Sequence, residues 1–247
     1  MLFQQCLFEF LGTMILVLMG DGVCAACTLN KSKAQGAGWV VITLAWGFAV
    51  MCGVLVAGPV SGAHLNPAVT FGLALAGLFP WCSVVPYIIA QMIGGFVGAV
   101  LVCAFYVDHF AATSDNPDGM LGCFCTMPAI DHKTVNFFSE FLATFVLVFL
   151  ILAIGSKGNT PMAGDVPIGL GAVGAFPVTA VIMSLGMSLG ATTGYAMNPA
   201  RDLSPRCAHA ILPIRGKRDS GWGYSWIPVF GPLTGGAFAA AIYLILF

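Results

Sequence analysis

The feature that most restricts this chain is the length of its apolar runs. A helix needs about 20 mostly apolar residues to cross a bilayer. Six stretches qualify, roughly 5–28, 37–57, 80–107, 135–155, 166–190 and 226–247. A soluble domain carries about 25% charged residues; here 8% are charged and 59% hydrophobic, and mean hydropathy is +0.94. That is too little charge to cover a surface facing water, so the sequence reads as a multi-pass membrane protein. The first run has no basic leader region and no small-residue cleavage site before the apolar stretch continues. It is therefore expected to stay in the mature protein as a membrane helix. A formal net charge of −1 offers no basic face, and nucleic acid is not an expected partner.

Two shorter pieces break this pattern. "NPAVTFGLALAG" covers 66–77 and "NPARDLSPRCAHA" covers 198–210. Each is about 12 residues, or roughly 18 Å as a helix, near half of the ~30 Å hydrocarbon core. Each opens with Asn-Pro, an N-cap followed by a residue suited to the first helical position. They are predicted to be re-entrant half-helices.

The chain also matches itself in order. "FEFLGT" at 8–13 resembles "SEFLAT" at 139–144, an offset of 131. Asn66-Pro67-Ala68 recurs as Asn198-Pro199-Ala200, an offset of 132, and Gly58 and Gly62 match Gly190 and Gly194 at the same 132. Gly94-Gly95 matches Gly235-Gly236 at 141. Three spanning helices per half make the second half enter from the opposite side, an inverted repeat. The two half-helices then meet N-terminus to N-terminus near the midplane. Irregular backbone at that depth must be buried in protein or line a watery cavity. Two facing N-termini add partial positive charge at one point, which opposes cations and hydronium but not neutral molecules. The Asn66 and Asn198 amides stand there as donors to a passing hydroxyl or water. The residues alone thus predict a pore for small neutral polar solutes.

"SGAHLNPAVT" and "GYAMNPARD", with the paired "EFLGT" and "EFLAT" segments, resemble the aquaporin, or major intrinsic protein, family over essentially the whole chain. Asp202 directly after Arg201 resembles its glycerol-facilitator branch. The resemblance implies an all-α membrane fold of six transmembrane helices plus two re-entrant half-helices. It implies one channel domain over 1–247, with a first repeat of about 1–107, a linker of about 108–133 and a second repeat of about 134–247. It further implies a homotetramer with one pore per subunit, no cofactor and no enzymatic activity. Aligned by motif, Trp46, Gly186, Tyr195 and Arg201 become the selectivity filter. Trp46 and Tyr195 would form an apolar corner for a carbon backbone, Arg201 would donate to hydroxyls opposite, and Gly186 would leave width that a histidine fills in water-selective members. Tyr195 departs from the phenylalanine of glycerol facilitators. Its hydroxyl is expected to narrow or polarise the corner and to admit other small hydroxylated solutes such as dihydroxyacetone or protonated lactic acid; water and urea are further expected permeants of such a channel.

Other polar residues have competing readings. Glu9 and Glu140, repeat-related acids inside helices, serve either as acceptors for the re-entrant loops or as proton-coupling groups. His64 is a loop or pore residue rather than a metal ligand, because no second ligand lies at the usual spacing. Leu65 and Met197 form a greasy wall near the centre, and Asp202 orients the second half-helix or its neighbours. Gly94/Gly98 and Gly231/Gly235 permit close helix crossing. Cys24/Cys27 and Cys123/Cys125 read as packed thiols, with a redox or metal pair as the alternative. A mainly water-selective channel and a proton-coupled transporter of small hydroxy acids remain rivals; no nucleophile–base set or metal-spaced cluster supports an enzyme. Lys31, Lys33, Lys133, Arg215, Lys217 and Arg218 fall on the odd-numbered loops and Lys157 on the other side, so the positive-inside rule puts the odd loops inside. The resemblance implies the reverse, with both termini cytoplasmic in a plasma membrane, and the family topology is preferred. The compact termini suit a bacterial source.

Overall fold

The computed structural model describes residues 1–156, 162–163, 166–167 and 169–247. Its helices, in chain order, are α1 (Leu2–Thr28), α2 (Trp39–Ser61), α3 (Pro67–Leu75), α4 (Trp81–Phe105), α5 (Val107–Ala111), α6 (Pro117–Gly122), α7 (Lys133–Ile154), α8 (Phe176–Leu189), α9 (Pro199–Ile211) and α10 (Ile227–Leu246). Short 3₁₀ turns flank α8 and lengthen it to a span of Gly171–Thr192. Among the described residues, α1, α2, α4, α7, that span and α10 are the six helices long and apolar enough to cross a membrane. The one β feature there is a two-residue ladder, Met162–Ala163 with Val166–Pro167. The fifth run was expected from 166; helical structure starts at Gly171, and Lys157 lies outside the described residues.

Polarity is turned inside out relative to a soluble protein. Val85, Ile89 and Ile93 recur every fourth residue on α4 and are exposed, as are Phe230 and Phe238 on α10. Glu9, Asp21, Gln91, Glu140, Asp202 and Arg206 are buried. Hydrocarbon is the solvent that accepts the first group, and internal hydrogen bonds hold Glu9, Gln91, Glu140, Asp202 and Arg206 of the second. The chain is an integral multi-pass membrane protein.

The repeats interlock through their half-helices. α3 packs on α10 and α9 packs on α4, each against a helix of the other repeat. The paired glycines make this approach possible from both sides. A Cβ on Gly94 would lie 2.3 Å from the Phe10 carbonyl oxygen, and one on Gly235 would lie 2.3 Å from that of Phe141. The second glycine of each pair faces a half-helix: a Cβ on Gly95 would meet the Ala200 carbonyl at 2.8 Å, and one on Gly236 the Ala68 carbonyl at 2.7 Å. Each Gly-Gly pair therefore admits helix backbone on one side and a half-helix start on the other.

The half-helices differ in length. α3 has 9 residues because Ala76 and Gly77, at φ +75°, form its C-terminal cap instead of a further turn. α9 has 13. Together they give about 33 Å of helix, close to one hydrocarbon thickness. The linker also differs from a plain loop. Asn116 caps α6 by accepting from the Gly119 N–H, and Met120, Leu121 and Phe124 are fully buried. An Asn-Pro start and three large apolar side chains fold this segment against the outer end of the bundle.

Candidate pore and constriction

Two trios of residues ahead of the half-helices have matching backbone. Gly62, Ala63 and Leu65 have φ of +84°, +51° and +52°; Gly194, Tyr195 and Met197 have +86°, +41° and +49°. Such values disfavour residues with a Cβ, so something must hold them. Glu9 does so on one side. It accepts from the His64 and Leu65 N–H groups at 2.9 and 2.7 Å, from the Ser61 hydroxyl at 2.6 Å and from the Gln91 amide at 2.8 Å. Glu140 does so on the other, accepting from the Ala196 and Met197 N–H groups at 3.0 and 2.9 Å and from the Thr193 hydroxyl at 2.7 Å. In a trans peptide the carbonyl points opposite to the N–H. Drawing these amides toward the two carboxylates therefore turns the Ala63, His64, Tyr195 and Ala196 carbonyls the other way.

Asn66 and Asn198 are cross-tied. The Asn66 side chain donates to the Met197 carbonyl and the Asn198 side chain to the Leu65 carbonyl, both at 2.8 Å. Their amide oxygens accept from Ala68 and from Ala200 and Arg201 as N-caps. One N–H of each side-chain amide is thus fixed, leaving one for the lumen. Pro67 and Pro199 occupy the first helical positions, and Ala68 and Ala200 are fully buried where the half-helices meet opposing helix backbone. At the far end of α9, Lys217 donates to the carbonyls of His209, Ala210 and Leu212. The negative end of that helix is neutralised and its positive end is left at the centre.

Two cavities meet along this path. The larger-walled one, about 170 Å³, is lined by His64, Leu65, Asn66, Met197 and Asn198 together with Val50, Val54 and Ile182. The other, about 220 Å³, is lined by Cys24, Thr28, Trp39, Gly119, Cys125 and Thr126. Trp46, Tyr195 and Arg201 are common to both linings and so mark the boundary. The second cavity opens toward the odd-numbered loops, which gather on one face: Asn30 bonds Ala112 and Thr113, and Arg218 pairs with Asp118. On that face the exposed Asp219 carboxyl is held below its ordinary value, first by the Gly221 N–H and then by Arg218.

At the boundary the Arg201 guanidinium lies 4.1 Å from the Trp46 ring centroid. It is buried, and among the described residues its side chain makes no hydrogen bond. Its donors are unspent. The constriction therefore combines an aromatic corner with a fixed fork of donors, which suits a short carbon chain bearing hydroxyls on one side.

A family model described as Major intrinsic protein matches residues 1–243. The chain belongs to the major intrinsic protein family. It is 54% identical over 242 residues to glycerol uptake facilitator protein 3 of Lactiplantibacillus plantarum, covering 98% of this chain and 96% of that one. It is 50% identical to the probable glycerol uptake facilitator protein of Thermotoga maritima, covering 98% of each. Among solved structures it resembles the aquaglyceroporin of Plasmodium falciparum, with a TM-score of 0.84 and 28% identity over 100% of this chain and 97% of that one.

Two of the sequence expectations for this family member change. Gly186 lines neither cavity. The space over it holds Tyr195 and Thr43: a Cβ there would lie 2.9 Å from Tyr195 Cζ and 2.9 Å from Thr43 Cγ2. Gly186 backs the tip of the Tyr195 ring, and its carbonyl accepts from Trp39 Nε1 at 3.0 Å. The Tyr195 hydroxyl was expected beside Arg201. It is instead buried with no hydrogen-bond partner. The ring lies along the glycine face of α8, with its base at Gly190 and its tip at Gly186, braced edge-on by Trp39 at 5.6 Å. Among the described residues its hydroxyl makes no polar contact.

His64 bonds Thr70 through Nδ1 and packs between Phe79 and Tyr87, which keeps it as a loop brace in the wall of the first cavity. Asp202 accepts from the Thr126 N–H and hydroxyl at 2.7 and 2.6 Å and from Arg206 at 3.0 and 2.8 Å, and so ties the linker to α9. Sequence reasoning passed over Asp21 and Trp39, which reach Arg201 and Tyr195 from distant segments with nothing local to mark them; it read Cys24 only as a packed thiol, and it gave no role to Arg206, four residues after Asp202 on α9.

Proposed function

We propose that this chain is a passive channel for glycerol and similarly small uncharged solutes, and that Trp46, Tyr195 and Arg201 form its filter, with Gly186 behind Tyr195. The observation that carries this reading is the buried Arg201 guanidinium with unspent donors, facing an aromatic corner where two cavities meet. A hydroxylated carbon chain replaces its lost hydration on one side with Arg201 and lays its CH groups on the other. Asn66 and Asn198 then supply one N–H each at the centre, where the two helix N-termini oppose cations. A solute oxygen that accepts both bonds cannot relay a proton, so hydronium transfer is interrupted. Leu65 and Met197 form the apolar wall at that point.

Glu9 and Glu140 belong to the scaffold in this reading. Every carboxylate oxygen is committed to the loops, which leaves neither free to shuttle protons and favours the channel over a proton-coupled transporter. Water, urea, dihydroxyacetone and protonated lactic acid are further permeants by size and neutrality. The repeats of about 1–107 and 134–247 make one channel unit, four of which assemble as a homotetramer embedded in plasma-membrane lipid of a bacterial cell. The termini are cytoplasmic and the odd-loop face, with Arg218 and Asp118, is external.

The test is stopped-flow light scattering on proteoliposomes with glycerol, water, urea, dihydroxyacetone and lactic acid across pH. Non-saturating glycerol flux that does not depend on a proton gradient is expected. Saturating, gradient-driven flux overturns the proposal.

A further inference from the structure

Helix α1 supplies the constriction with a support that the motifs do not contain. Gly20, Asp21 and Cys24 occupy adjacent positions on one face of it. A Cβ on Gly20 would lie 2.2 Å from the Trp46 ring, so the indole rests directly on the α1 backbone. Cys24 Sγ accepts the Trp46 Nε1–H at 3.4 Å, which fixes the rotation of the indole with Arg201 over its ring. Asp21 Oδ1 lies 3.8 Å from Arg201 Nη1. Asp21 is 1% exposed, lines neither cavity, and neither carboxyl oxygen has a hydrogen-bond partner among the described residues.

A carboxylate inside a membrane helix is expensive unless it is paired, and Arg201 is the one cationic group within ion-pair distance of it among the described residues. The two contacts of the guanidinium do different things. Trp46 attracts its flat face; Asp21 pulls one edge toward α1 and away from the cavity axis. Removing either would leave a long, flexible cation free to swing into the junction of the two cavities. The carboxylate also cancels the charge of Arg201 locally, so the constriction presents donors without presenting a net cation.

We propose that Asp21 is a positioning residue for the constriction: it holds Arg201 flat against Trp46 and neutralises it there, and so sets the width that polyols need. The inference rests on the reading of Arg201 as the filter donor.

The test compares glycerol and water permeability in proteoliposomes of the wild type, Asp21→Asn and Asp21→Glu. In Asp21→Asn the released guanidinium obstructs glycerol more than water, and the glycerol-to-water ratio falls on the order of tenfold, within the range seen for coupling between contacting residues. Asp21→Glu keeps the charge and recovers most of the ratio, which a purely structural role would not predict. An unchanged ratio in assembled Asp21→Asn overturns the inference while leaving the channel proposal standing. A wild type that conducts no glycerol overturns the channel proposal itself. If Asp21→Asn does not assemble, the double variant Asp21→Asn/Arg201→Gln decides, because it buries no unmatched charge. Restored assembly supports the pair, and failure of the double as well overturns it.

Discussion

Arg201 and Arg206 stand on the same half-helix, both buried, with opposite hydrogen bonding. Arg206 donates to Asp202 twice, to the Thr126 carbonyl and to the Ser220 and Gly221 carbonyls. The Arg201 side chain has no such bond among the described residues. A buried guanidinium normally satisfies its five donors. The exception is therefore the informative one: Arg206 is built into the protein, and the Arg201 donors are left uncommitted, as the proposed filter requires.

Arg206→Ala should reduce stability strongly. It strands Asp202 as an unpaired buried charge, a change that typically costs about 3–5 kcal/mol. Thermal unfolding in detergent should show the loss, and the glycerol-to-water ratio of surviving protein should stay near that of the wild type. Arg201→Gln, combined with Asp21→Asn so that no buried carboxylate is left unmatched, should show the reverse, with near-normal unfolding and a changed ratio. Equal effects of the two variants on the ratio would contradict the division of roles.

Tyr195→Phe should be tolerated and should stabilise slightly. The hydroxyl is buried without a partner, and relieving such a group recovers up to roughly 1–3 kcal/mol. Relative permeabilities of glycerol, dihydroxyacetone and lactic acid should hold, since the ring keeps its place along Gly186 and Gly190. A selective loss of one solute would show that the hydroxyl reaches the path.

Much of this arrangement was legible in the sequence because it is carried by local, repeated signals. Asn-Pro marks a helix start wherever it lies, and two copies 132 residues apart in an inverted repeat fix where the half-helices meet. The same repetition marked Glu9 and Glu140 as a pair but left their acceptor and proton-coupling readings both open. Asp21 was not legible, because a single acid in an apolar helix does not name its partner on α9. Gly186 was half legible: the missing side chain was plain, but the neighbour that fills its space comes from another segment. The linker hid its folded core because its scattered Asp, Pro and Gly residues interrupt any helical or strand period, while the burial of Met120, Leu121 and Phe124 depends on the helices around them.

Glu140→Gln should disturb the second half-helix entry. Glutamine offers one acceptor oxygen and one amide that donates, where the site presents two backbone N–H groups and a hydroxyl. One buried donor is left unsatisfied, at a cost of about 1–3 kcal/mol. The positive-φ seats of Tyr195 and Met197 lose their anchor. Glycerol flux should fall at every pH, without the shift in pH dependence that loss of a proton-carrying group would give. Glu9→Gln should behave in parallel at Leu65.

Gly236→Ala tests the interlock of the repeats. The new methyl would sit 2.7 Å from the Ala68 carbonyl, which belongs to backbone at the start of α3 and has no flexible side chain to yield. Overpacking of this kind typically costs about 1–3 kcal/mol. The displaced end carries Asn66, whose amide reaches the Met197 carbonyl across the repeat boundary, so the strain is delivered to the centre of the path. Glycerol flux per assembled protein should drop severalfold. Gly95→Ala should do the same through Ala200, because its Cβ meets that carbonyl at 2.8 Å. A substitution at Gly223, where an added Cβ meets nothing within 4 Å, provides the control: it should leave both flux and unfolding temperature unchanged. Loss of flux in that control as well would mean that general fragility, and not the half-helix contact, sets the outcome.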